Sequence, residues 1–167
     1  MEYFNAALHA QVPEVFSRML DDHVERVRPT VLFYAPWSVN DVAVGGITTA
    51  ALRRAKGNLA RVMATLQAKG VRPLVVLPEA LPCNTAYRSV GANDSFRRDF
   101  NTTFLPSLSG AMVLSGYAAA FTGTRTGGQD QIKAGSSDDG VHPNEPGHEL
   151  LKVPPKTLLQ LLLDRVA

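Results

Sequence analysis

An α/β fold is the class this sequence predicts, and three features predict it: two short, continuously apolar runs rich in β-favouring residues, a long segment of helical periodicity between them, and prolines at the ends of both runs. The first run, Thr30-Val31-Leu32-Phe33-Tyr34-Ala35, is closed by Pro36. Because it does not alternate, it fits a strand covered on both faces better than a half-exposed one. From about Thr49 to Lys69, Leu52, Ala55, Leu59, Val62, Met63 and Leu66 recur at helical spacing, while Arg53, Arg54, Lys56, Arg61 and Gln67 mostly take other sides. Gly70 is the natural residue after its end. Arg72-Pro73-Leu74-Val75-Val76-Leu77-Pro78 is the second strand, its prolines placed where a missing ladder donor costs least. Strand, helix, strand over Val31 to Leu77 is a parallel crossover, for which right-handed connectivity is expected.

The remaining elements continue the alternation. A helix from about Pro13 to Val27, with Phe16, Met19 or Leu20, His23 and Val27 on one side, is stopped by Pro29. A short helix begins near Asp94, and Phe96, Phe100 and Phe104 within it are expected to pack against the sheet. Ala111 to Leu114 makes a third brief strand. Gly116 to Ser137, rich in Gly, Thr and Ser, reads as a long surface loop. Pro146 to Val153 reads as a helix interrupted by Pro154-Pro155, after which Thr157 to Val166 continues as a Leu-rich terminal helix. No internal repeat is evident.

Composition narrows the function classes. A chain of 167 residues that is 45% apolar is sized for a single domain, 1–167, with a core that needs no disulfides. The lone Cys83 has no partner and no metal-ligand spacing around it, so it is expected to be an ordinary buried or loop thiol. The formal charge is +2, and the basic residues are scattered; Arg53-Arg54 and Arg97-Arg98 are expected on solvated helix faces, with no nucleic-acid partner. No stretch approaches the roughly 20 apolar residues of a membrane span. The first residues lack a signal-peptide pattern, so a cytoplasmic location is the default expectation.

The strongest chemical signal is Asp139-Gly140-Val141-His142-Pro143. A carboxylate three residues before a histidine, in a loop containing Gly, can turn back to accept the Nδ1 proton and leave Nε2 free to take a proton from a hydroxyl. Asp138 is a rival orienter. The Asn144-Glu145-Pro146-Gly147 that follows suits a helix entrance, with Asn144 as cap. A second polar cluster, Ser38-Val39-Asn40-Asp41, follows the first strand, where residues of a parallel sheet face the usual binding crevice; the Asn40 amide could donate to a developing oxyanion there. Gly91-Ala92-Asn93-Asp94 offers a second Asn-Asp pair, but it lies further from a clean strand. A metal site from Asp138, Asp139, His142 and His148 matches no known ligand spacing, so no metal and no cofactor are expected. Trp37 suits either a pocket mouth or a packing role.

In order and surroundings, Ser38-Val39-Asn40-Asp41 and Asp139-Gly140-Val141-His142-Pro143, with Gly147 just beyond, resemble the Gly-x-Asn-Asp and Asp-x-x-His-Pro blocks of the SGNH (GDSL-type) ester hydrolases. The resemblance implies a three-layer α/β/α, flavodoxin-like fold with a parallel sheet. It implies His142 as the base, Asp139 as its orienter and Asn40 as an oxyanion-hole donor. Ser38 stands where the family has glycine. The family's Gly-Asp-Ser nucleophile block and second glycine block are not found before Ser38, and no Gly-x-Ser-x-Gly elbow occurs. The chain therefore reads as an N-terminally incomplete member, inactive by itself, whose complete form would hydrolyse O-acyl or O-acetyl esters of a small molecule, glycan or lipid. The alternative is a non-catalytic α/β binding domain of the same fold. Without the family's first strands, Val31 to Ala35 would be an exposed apolar edge open to self-association.

Overall fold

The computed structural model describes residues 26–37, 49–84 and 94–164. Of the helix expected over Pro13 to Val27, Arg26 and Val27 are described and are helical. Ser38 to Asp41 and Gly91 to Asn93 lie outside the described residues, and so does Asn40.

The order is β1 (Val31–Phe33), α1 (Thr49–Ala68), β2 (Leu74–Pro78), α2 (Asp94–Asp99), β3 (Met112–Leu114), α3 (Tyr117–Phe121), β4 (Thr122–Thr126), β5 (Gln129–Ile132) and α4 (Glu145–Asp164). A π-helical turn, Phe100–Phe104, and a 3-10 turn, Leu105–Ser107, carry α2 toward β3. β1, β2 and β3 form a parallel sheet in chain order, with Leu32 opposite Val75 and Val76 opposite Met112. Helices flank it. From α1, Leu59, Val62 and Leu66 join Val75 and Leu77 of β2, and Phe100 and Leu105 complete the same core. The end of α1 is closed by the Gly70 N–H to the Gln67 carbonyl and the Val71 N–H to the Leu66 carbonyl, the paired bonds that satisfy the last open carbonyls of a helix.

The two early strands differ in burial. Val75, Val76 and Leu77 of β2 are fully enclosed, whereas Val31, Leu32 and Phe33 of β1 are half-buried, contrary to the reading of that run as covered on both faces. The reason is position: β2 is central, and β1 is the end strand of the described sheet.

Three further expectations are corrected. Gly116 to Ser137 is not one loop, because it holds α3 and the antiparallel β4–β5 hairpin. The signal was Gly127-Gly128, whose φ values of 58° and 81° provide the left-handed pair that a two-residue hairpin turn requires. The terminal helix also runs unbroken through Pro154 and Pro155. A proline's φ is compatible with a helix; the pair removes two hydrogen-bond donors and crowds the carbonyls four residues earlier, a local cost that this helix carries without ending.

The third correction concerns α2. Phe100 and Phe104 pack inward, Phe100 edge-on to Trp37 at 4.9 Å, but Phe96 is 44% exposed. Arg97, expected on a solvated face, is 6% exposed. Its guanidinium lies 2.7 Å from Asp94 and 2.6 Å from Asp130 and donates to the Ala80 carbonyl at 3.3 Å. A buried cation requires such partners, and turning Arg97 inward turns Phe96 outward. A second apolar cluster, Phe121, Ile132 and Leu151 with Leu81 and Tyr117, joins α3, β5 and α4.

Arg97→Ala, which leaves Asp94 and Asp130 with only the half-exposed Arg98 and Arg125 as counter-charges and empties a buried site, should destabilise the chain by about 2–3 kcal/mol in urea unfolding. Phe96→Ser, in the same helix, should change stability by no more than about 0.5 kcal/mol. Equal effects for the two would reverse the assignment of inner and outer faces.

Candidate active site

The carboxyl ends of β1 and β2 point to one edge of the sheet because the strands are parallel. From β2 the chain continues through Glu79 to Asn84, and there it meets the segment between β5 and α4: the Asn84 N–H donates to the Gly140 carbonyl at 2.9 Å. The Asp139 to His142 turn therefore sits beyond the carboxyl end of β2.

Within that turn one carboxylate organises the backbone. Asp139 Oδ1 accepts from the N–H of Val141 at 2.9 Å and of His142 at 2.8 Å, and from the Ser137 hydroxyl at 3.2 Å. The Ser137 hydroxyl oxygen accepts in turn from the Gly140 N–H at 3.0 Å. Asp139 Oδ2 lies 2.5 Å from His142 Nδ1. The His142 imidazole, and then the backbone N–H groups of His142 and Val141, hold the Asp139 carboxyl well below the ordinary carboxylate range. With Asp139 ionised, Nδ1 carries the proton, and Nε2 is left as the basic nitrogen. The His142 side chain is 68% exposed, and among the described residues no hydrogen bond falls on Nε2.

Two glycines permit this geometry. Gly140 has φ 77°, and a Cβ on it would stand 3.0 Å from the Asn84 Cβ. A Cβ on Gly147 would stand 2.2 Å from the Ser136 carbonyl oxygen, so the first turn of α4 lies directly on the base of the loop. Asn144 joins the two: its Oδ1 caps the helix by accepting the Gly147 N–H at 3.1 Å, and its Nδ2 donates to Asp138 Oδ1 at 2.8 Å. Asp138, the rival orienter, is thereby engaged with Asn144, while Asp139 is the carboxylate on His142.

The structure brings Asp139 and His142 together; Asn40, the third residue named from the sequence, lies outside the described residues. Among the described residues, no three of His, Cys, Asp and Glu converge as a metal-binding group. None of their helices is long and apolar enough to cross a membrane. Trp37 is a packing residue, buried against Phe100. Sequence reasoning did not identify Ser137 or Asn84. Both lie in polar stretches that read as ordinary turns, and their partners are remote or run through the backbone.

No protein-family model matches the sequence, and no curated protein matches it either. Solved structures do. The chain is similar to a protein from Bacteroides fragilis assigned as an acylhydrolase, with TM-score 0.67 and 18% identity over 92% of this chain and 72% of that one. It is similar to a GDSL-like lipase from Bacteroides thetaiotaomicron, with TM-score 0.58 and 15% identity over 91% and 72%. A carbohydrate esterase family 3 protein from Talaromyces cellulolyticus gives TM-score 0.55 and 19% identity over 92% and 69%. The likeness is one of fold. It places this chain's parallel sheet and flanking helices in the same arrangement as theirs.

Two measurements check the site's electrostatics. A carboxyl whose folded-state pKa is depressed stabilises the fold above its unfolded pKa of about 3.9, and that contribution is lost as pH falls below it. Asp139→Asn should therefore be less stable than the unsubstituted chain near neutrality, and the difference should begin to narrow as pH falls below about 4 and close only where the folded carboxyl itself takes up a proton; a constant difference would mean that the carboxyl's charge is not involved. Burial pushes the Cys83 thiol up to about 11. Its alkylation by iodoacetamide near pH 8 should accordingly be about a hundredfold slower than that of a free thiol, because the thiolate is the reactive form. Reaction at the free-thiol rate would place Cys83 at the surface.

Proposed function

We propose that the Asp139–His142 turn is the base-and-orienter half of a serine-type ester hydrolase site on an SGNH-like three-layer fold. The observation that carries this reading is the 2.5 Å contact between Asp139 Oδ2 and His142 Nδ1 in a turn that leaves the imidazole open to solvent. In this reading Asp139 fixes the tautomer, and His142 Nε2 takes the proton of an attacking hydroxyl as its oxygen bonds to the ester carbonyl carbon. The same nitrogen returns that proton to the alcohol as the old C–O bond breaks, and water repeats the sequence on the acyl intermediate. Asn40 donates to the oxyanion. The substrate class is an O-acyl or O-acetyl ester; the acylhydrolase, lipase and carbohydrate-esterase names of the structural neighbours support that class without selecting among small-molecule, glycan and lipid esters.

The 167-residue chain is inactive by itself in this reading. A base and an oxyanion donor assist a nucleophile, but neither accepts the acyl group, and the sequence holds no Gly-Asp-Ser block or Gly-x-Ser-x-Gly elbow. Ser38 beside Asn40 has no such motif to aim its hydroxyl.

An activated acetyl ester should give no stoichiometric burst with the folded chain and no serine adduct by mass spectrometry. A burst with one labelled serine would overturn the inactivity, and its loss in Ser38→Ala would identify the nucleophile. The ester site itself is tested by binding: a short-chain phosphonate ester should shift the His142 ring and Asp139 carboxyl NMR signals. If millimolar ligand leaves both unmoved, the turn is a structural element of a non-catalytic domain.

A further inference from the structure

From the contacts around Asn84 we infer that this residue is the positioning residue of the Asp139–His142 pair, coupling the pair to the β4–β5 hairpin and, through Ala80, to the buried Arg97 cluster. The inference rests on the reading of that turn as an ester-hydrolase half-site for its functional meaning, although its geometry stands without it.

Asn84 touches the turn and the hairpin at once. Its backbone N–H donates to the Gly140 carbonyl at 2.9 Å, and its side-chain Oδ1 accepts the Ile132 N–H at 3.0 Å. Its Cβ fills the space that a side chain on Gly140 would need. Asp139 and His142 are both exposed, so packing does little to hold them; their order comes from hydrogen bonds within a short turn whose external support includes Asn84. That support is rigid for an identifiable reason. Ala80, four residues earlier, donates to Asn101 Oδ1 at 2.8 Å and accepts from Asn101 Nδ2 at 3.0 Å and from Arg97 at 3.3 Å. Arg97 also grips Asp130 in β5, two residues from Ile132. The segment from Ala80 to Asn84 is thus fastened at one end to buried side chains and at the other to the hairpin, and the turn is built against it.

The Asn84 side chain acts on the turn through its own backbone: by taking the Ile132 N–H it fixes the segment whose N–H reaches Gly140, and that placement must govern how firmly Asp139 holds its proton, because the bonds from His142 and Val141 favour the charged carboxylate only while the turn is closed. A merely structural asparagine would lower stability and leave that titration unchanged. The test follows the Asp139 carboxyl by carbon NMR in the unsubstituted chain, in Asn84→Ala and in Leu66→Ala, which thins the sheet core. At about pH 3 the carboxyl should remain ionised in the unsubstituted chain and in Leu66→Ala, and be substantially protonated in Asn84→Ala, an upward shift of about one pH unit or more. If Asn84→Ala lowers the melting temperature and Asp139 titrates as before, the inference is overturned. Should that variant not fold, hydrogen exchange in the unsubstituted chain decides the matter: the N–H groups of Asn84, Ile132, Val141 and His142 should open together with one denaturant dependence, and independent opening of Val141 and His142 would refute the coupling. None of these readouts requires an ester, so failure of the hydrolase reading and failure of this inference are separately visible.

Discussion

The parallel pairing of β2 on both of its edges is the constraint on which the rest of the structure depends. Its central residues are buried, so their backbone polar groups must be satisfied within the sheet, and the ladder to β1 and β3 does so. Parallel strands cannot be joined by tight turns, which obliges the chain to cross over through α1 and to return through α2 and the turns after it. The same direction sends the segments after Phe33 and after Pro78 out of one edge. That shared edge is where the chain between β5 and α4 comes back to meet Asn84.

Charge is handled in two contrasting ways near this edge. Arg97 is buried, and its cation is matched by Asp94 and Asp130 and by a backbone carbonyl, so it serves as a fastening between α2, the strand-end segment and the hairpin. Arg98 and Arg125, both half-exposed, add to the same two carboxylates from outside, so among the described residues Arg97 is the one buried cation of a small network of charges. Asp139 and His142 are exposed, and the solvent screens them; what holds them is the directionality of hydrogen bonds in a three-residue turn. The proposed role of the pair in proton transfer depends on that open position, since a nitrogen sealed inside the core could not meet a substrate. Stability and access are thus assigned to different charged groups joined through Ala80 and Asn84.

The terminal helix belongs to the same arrangement. Its first turn is capped by Asn144 and pressed on Ser136 at Gly147, so the loop that carries Asp139 and His142 is anchored at its carboxyl end by a helix as well as on its flank by Asn84. Phe121, Ile132 and Leu151 pack beneath this junction, joining the helix to the hairpin.

The features legible in the sequence are those whose cause is local. Two unbroken apolar runs, the repeat from Leu52 to Leu66 and the three-residue interval from Asp139 to His142 each carry their physics in neighbouring residues. The strands, the crossover helix and the pairing of that carboxylate with that imidazole follow from them. Gly127-Gly128 carried a local signal too, overshadowed by the polar composition around it. The inward turn of Arg97 depends on Asp130, thirty-three positions away, and the hold of Asn84 depends on Gly140 and Ile132. Asn40 followed from its place after a strand and from a motif, and the described residues stop short of it. Sequence by itself thus determined which elements form and which two residues meet across a turn; which polar side chains are buried, and which of them brace that turn, was decided by the tertiary structure, because a buried charge or a bridging amide is selected by partners that only the folded chain brings within reach.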